Sequence, residues 1–194
     1  MRTAWGYDVS SLSPIISVAQ FNTITNNKYY GDPRIETAIK AASQAIRNYC
    51  GWHVSPSLTC TANPAGGAAV TRLPAAYVSG ITSVKESSVT VDSSEYEWRK
   101  DGLLKRVHSC WPSKYDSIEV VYTAGYDADA VPDLLDAVCS IVTGVLAVSA
   151  GVTAESADGV SISYSANASS IAAALTSSQK AALTAYKAVA SHAA

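Results

Sequence analysis

The hydrophobic residues of this chain change their spacing twice, and that constrains the fold more than any other feature. From Arg34 to Tyr49 they recur at the 3.6-residue period of a helix. Ile35, Ala38, Ile39, Ala42, Ile46 and Tyr49 form one stripe, and Glu36, Lys40, Ser43 and Arg47 form the other. Asp32-Pro33 supplies a cap and a first-turn proline, and Gly51 is placed to end the helix. The middle of the chain then breaks into short β-prone runs: Val70–Leu73, Val78–Val84, Val89–Val91, Tyr96–Arg99, Leu103–Val107 and Ile118–Thr123. In the last of these Ile118, Val120 and Tyr122 share one face, the period-2 pattern of a half-buried strand. After Pro132 the helical spacing returns, with Leu134, Leu135, Val138, Ile141, Val142, Val145 and Leu146 forming a broad apolar stripe.

Local signals fill in the rest. Ser13-Pro14 predicts a short helix over Ile15–Phe21, and Thr25-Asn26-Asn27-Lys28 a turn. Lys100-Asp101-Gly102 predicts a hairpin. Asn63–Ala69, with Pro, Gly-Gly and Ala, reads as a flexible loop. Gly159–Tyr164 alternates strictly within the Ala-, Ser- and Gly-rich stretch Val152–Ala174. Thr176-Ser177-Ser178-Gln179 is a capping box opening a last helix with Ala182, Leu183, Tyr186 and Val189 or Ala190 on one side. The fold class is therefore α+β: a helical bundle from the N- and C-terminal segments with a small inserted antiparallel β domain. The expected division is 1–54, 55–126 and 127–194.

Composition bears on what such a chain can do. Of 194 residues, 48% are hydrophobic and only 15% are charged, against about a quarter charged in an average soluble domain. Scarce charge points to surface covered by other chains. The net charge is −2 and no basic tract occurs, which argues against tight sequence-independent nucleic-acid binding. Met1–Ser10 lacks the pattern of a secretory signal, and Ala137–Ala150 is too short to span a bilayer. Four cysteines, Cys50, Cys60, Cys110 and Cys139, show no CxxC spacing, so reduced thiols are expected.

Catalytic motifs are missing. There is no GxxxxGK[ST] loop, and Gly159-Val160-Ser161-Ile162-Ser163 lacks the second glycine of a nucleophile elbow. Cys50 or Cys110 could pair with His53 or His108 as a thiol dyad, but nothing local marks an activated thiol. Cys50-x2-His53 and His108-x-Cys110 could together supply four zinc ligands; buried thiols and ordinary histidines are the plainer reading. Asp127 and Asp129 are read as favouring the positive end of the following helix rather than binding a cation. Trp52, Trp98 and Trp111 lack interleaved Lys and Arg, so they are expected in packing rather than stacked on nucleic acid. The expectation is no enzyme, no cofactor and no metal.

Several phrases, in order, carry a resemblance. They are Ala45-Ile46-Arg47-Asn48-Tyr49-Cys50-Gly51-Trp52-His53, Leu73-Pro74 with Val78 and Ile81-Thr82-Ser83-Val84, and Tyr96–Arg106 with Trp111-Pro112. Ile118–Tyr126 ahead of Val131-Pro132 follows, and then Glu155-Ser156 through Ser161-Ile162-Ser163-Tyr164 to the helix opened at Thr176. Over about Ser13 to Tyr186 the chain resembles the head–tail connector (adaptor) proteins of tailed bacteriophages. The resemblance implies a ring, usually dodecameric, below the portal of the virion neck. Such a ring extends the DNA channel without sequence-specific binding, docks the next neck or tail protein, and assembles in the host cytoplasm with no membrane partner. A stopper or tail terminator is the alternative within the virion, and a zinc-binding module the alternative outside it. A ring buries two different faces of each subunit, which fits the scarce charge. The candidate partner interface is Val160, Ser161, Ile162, Ser163 and Tyr164, able to add as a strand to a neighbour, with Leu183 and Tyr186. Deleting Ala157–Ala194 is expected to abolish attachment and spare the fold.

Overall fold

The computed structural model describes residues 3, 5–9, 12–147, 154–157, 160–163 and 175–188. They divide into two compact units. One draws on Met1–Ser13, Cys50–Ala130 and Ala185–Ala194, the other on Pro14–Tyr49 and Val131–Thr184. The chain passes between the units near residues 50 and 130, and segments from both ends of the sequence belong with the β unit.

In the helical unit, α1 (Val18–Ile24) begins later than Ser13-Pro14 predicts. Ser17 is the true cap: its hydroxyl accepts from the Gln20 N–H at 3.1 Å, and the Gln20 side chain accepts from the Ser17 N–H at 2.9 Å. Ile15 and Ile16 precede the helix as buried residues in a bend. α2 (Ile35–Cys50) buries Ile35, Ala38, Ile39, Ala42 and Ile46, as its stripe requires. Two residues of the expected polar stripe, Ser43 and Arg47, are buried as well. Ser43 can be, because its hydroxyl donates to the Ile39 carbonyl at 2.8 Å and accepts from the Ile15 N–H at 3.0 Å. α3 (Pro132–Ala147) buries Leu134, Ala137, Val138, Cys139, Ile141, Val142 and Leu146. Arg34 pairs with Asp32 at 2.8 Å and also donates to the Leu146 carbonyl at 3.2 Å, placing a cation at the negative end of α3. α4 (Ser177–Leu183) starts at the Thr176 box and packs on α3, with Gln179 donating to the Ser140 hydroxyl at 3.2 Å. β9 (Ala154–Ala157) and β10 (Val160–Ser163) form a two-stranded antiparallel sheet.

The β unit holds two antiparallel sheets. One has the order β1-β2-β8-β4-β5, from Asp8–Val9, Leu58–Ala62, Ile118–Ala124, Val78–Glu86 and Val89–Thr90. The other has the order β3-β7-β6, from Val70–Arg72, Leu103–Arg106 and Tyr96–Trp98. β8 is central, and its alternation buries Ile118, Val120, Tyr122 and Ala124. The β6–β7 hairpin turns at Gly102. β1 and β2 carry no signal in the sequence reading. β2 (Leu-Thr-Cys-Thr-Ala) has too few large apolar residues to announce itself, yet it pairs with five residues of β8. The Asn63–Ala69 loop is not free: Gly67 N–H donates to the Trp111 carbonyl at 2.9 Å, and Trp111 N–H to that of Ala68 at 3.0 Å.

A buried polar node closes this unit. His53 Nε2 lies 2.9 Å from the Ala124 carbonyl, which can only accept, so Nε2 carries the proton. Tyr7 Oη then accepts from the His53 backbone N–H at 2.7 Å and donates to Nδ1 at 2.9 Å. Gly125 sits against this node: a Cβ there would lie 2.4 Å from the Pro56 carbonyl oxygen and 2.6 Å from His53 Nε2, and its φ of +106° also favours glycine.

Candidate interface surfaces

The β9–β10 hairpin carries four of the sequence-selected residues. Val160 pairs with Ala157, Ser161 with Ser156, Ile162 with Glu155 and Ser163 with Ala154. Among the described residues neither strand pairs with any other. A two-stranded sheet by itself is marginal in water, and a free edge is a template for another strand. Tyr164 lies outside the described residues.

Leu183 and Tyr186 turn out differently. Both are buried within the chain itself, so they complete the subunit's own core rather than form an outer face. The Tyr186 carbonyl accepts from the Trp52 indole N–H at 2.6 Å, the Ala188 N–H donates to the Cys50 carbonyl at 2.9 Å, and the Tyr186 ring meets Tyr126 edge-on at 5.4 Å. Tyr126 stacks in turn on Tyr77 at 4.6 Å. Deleting Ala157–Ala194 would therefore damage the fold as well as any docking surface, because the Trp52 N–H would lose its buried acceptor.

The proposed ligands and nucleophiles are scattered by environment. Cys50 and His53 are buried, and both ring nitrogens of His53 are engaged inside the chain. His108 and Cys110 are exposed. Among the described residues no group of three or more His, Cys, Asp or Glu side chains could hold a metal ion. Burial pushes the Cys50 and Cys60 thiols up to about 12, the opposite of nucleophile activation. The Asp127 carboxylate accepts from the Asp129 N–H at 3.3 Å in the turn ahead of α3. Of the tryptophans, Trp52 and Trp111 are core residues and Trp98 is partly exposed on β6.

The sequence reading passed over the exposed loops. Tyr115 is 90% exposed and Tyr30 78% exposed, each in an irregular segment flanked by charged residues. Only the aromatic residue inside a polar stretch could have marked them. Among the described residues no helix is long and apolar enough to cross a membrane.

The model of the family described as head completion protein matches residues 14–177. The chain belongs to the head completion protein family. No curated protein matches it. Among solved structures, this head completion protein is similar to a chain from "Neck of empty GTA particle computed with C6 symmetry". That match has a TM-score of 0.63 and 14% identity, and it covers 97% of this chain and 98% of the other. It is also similar to a chain from "Neck of native GTA particle computed with C12 symmetry", with a TM-score of 0.56, 15% identity and coverage of 95% and 98%. The shared fold thus runs nearly end to end on both sides. The connector resemblance read from the sequence holds at the level of family and fold, and the α+β class with it.

Proposed function

We propose that this head completion protein is a head–tail connector that works by geometry and without catalysis. Copies assemble, as a dodecamer, into a ring below the portal at the neck of the virion. The ring extends the DNA channel and offers a surface to the next neck or tail protein, and the genome passes a weakly acidic wall without sequence-specific contact. Assembly takes place in the host cytoplasm. The observation that carries this reading is the family match over residues 14–177. The near-complete fold match to neck chains whose particles were treated with C12 and C6 symmetry supports it. The two 16-residue helices α2 and α3 weigh against a β-rich stopper or terminator.

Within this reading, the β9–β10 hairpin is the segment that adds to a neighbouring copy or to the portal. Replacing Ile162 by proline removes a backbone donor from β10 and leaves Leu183 and Tyr186 in place. Electron microscopy of purified virions should find the chain's density between portal and tail, and Ile162→Pro should yield heads without attached tails. Density elsewhere, or normal particles from the variant, would count against the respective claim.

A further inference from the structure

The loop Trp111–Ser117 is built like a binding element. Its base is fixed: the Trp111 ring is buried beneath the Arg106 guanidinium at 5.6 Å, and its backbone exchanges hydrogen bonds with Gly67 and Ala68. Gly66 lies so close that a Cβ there would fall 1.9 Å from the Pro112 carbonyl oxygen. The far end is pinned by Ser117 Oγ donating to the Lys114 carbonyl at 2.6 Å and by Ser87 N–H donating to the Ser117 carbonyl at 2.7 Å. Between these anchors Lys114, Tyr115 and Asp116 are exposed, Tyr115 almost completely. Asp116 holds a positive φ of 55°, uncommon outside glycine and often found at functional turns. An exposed tyrosine on a loop anchored at both ends is the kind of residue that dominates protein–protein contacts, because it offers a large face with few torsions to fix.

The helical unit carries a matching receptor. A shallow cleft of about 480 Å³ is lined by Thr25, Lys28 and Tyr29 on one side and by Ser140, Thr143 and Gly144 of α3 on the other. The α3 side chains are small, and nothing lies within 4 Å of where a Gly144 Cβ would stand. Lys28 sits 5.4 Å over the Tyr29 ring. Among the described residues neither Lys28 nor Asp116 has an ion-pair partner, although seven other pairs form.

We infer that Tyr115 of one copy docks in this cleft of the next copy, with Asp116 facing Lys28. The inference rests on the ring reading, since a ring needs a head-to-tail interface between two different surfaces of the same chain. The opposite charges of Asp116 and Lys28, beside a cleft walled by small side chains, favour a second copy as its occupant.

Cross-linking in assembled particles tests it. In a Cys110→Ser background, Tyr115→Cys with Thr143→Cys should give a ladder of covalent multimers with a short bismaleimide, and either cysteine alone should not. Asp116→Lys and Lys28→Asp should each reduce complete particles about tenfold or more, through like charges meeting at the contact, and the double exchange should restore them. A double exchange no better than the singles overturns the docking, as does a missing ladder in particles that keep the neck density. If only the docking inference fails, wild-type necks still show that density, whereas absence of the density from wild-type necks removes the connector reading together with this inference.

Discussion

At the scale of single residues, the His53 node sets the tolerance of the β unit. The Tyr7 hydroxyl serves both Nδ1 and the backbone N–H of His53. Tyr7→Phe keeps the ring and strands both groups in the interior, at a cost of about 1–3 kcal/mol. Urea denaturation should show a lower midpoint with an unchanged slope. The cysteines give a second residue-level test. Cys50, Cys60 and Cys139 are buried and Cys110 is exposed. An alkylating reagent at neutral pH should modify one thiol in the native protein and all four after denaturation. The raised thiols also set a sign. The unfolded chain loses those protons first as pH rises past the ordinary thiol range near 9, so the stability held below that range should fall between about 9 and 12. Stability rising across that window would contradict the burial.

At the scale of elements, the long helices and the central strand were legible because their patterns are strong. The stripes of α2 and α3, the alternation of β8 and the Thr176 box all sit where spacing and cap chemistry put them. What escaped was set by strand pairing and tertiary contacts rather than by a local apolar pattern. β1 is two residues long and exists by pairing with β2, β2 is mostly Thr and Ala, and β9 contains Glu155 and no large apolar residue. Ser43 reads as solvent-facing until Ile15 supplies a donor to its hydroxyl. The candidate interface was legible in part. The alternation of Val160–Ser163 marked a strand, but the burial of Leu183 and Tyr186 depends on partners far back in the sequence, such as the Trp52 ring 134 positions before Tyr186. α4 has only seven residues, so Thr176→Ala, which removes the acceptor for Gln179 N–H, should cost about 1 kcal/mol. Hydrogen exchange should show faster amides in Ser177–Leu183 and little change in β8.

At the scale of the whole molecule, neither unit is a contiguous stretch of sequence. The β unit takes Tyr7 from before the first helices and Tyr186 from after the last. A fragment of residues 50–130 retains β2 to β8 yet lacks the hydroxyl that serves His53 and the carbonyl that serves Trp52. It should give a poorly dispersed amide spectrum and no cooperative thermal transition, where the full chain gives both. A sharp transition from the fragment would mean that these two buried bonds contribute little.

The clasp of Trp52 on the Tyr186 carbonyl has a consequence for how the protein is made. While the ribosome is still translating the helical segments, the indole N–H has no acceptor, and the β unit stays unfinished until residue 186 has emerged from the exit tunnel. Products of premature termination therefore lack a closed core. Such products should be more open to proteolysis than the full chain.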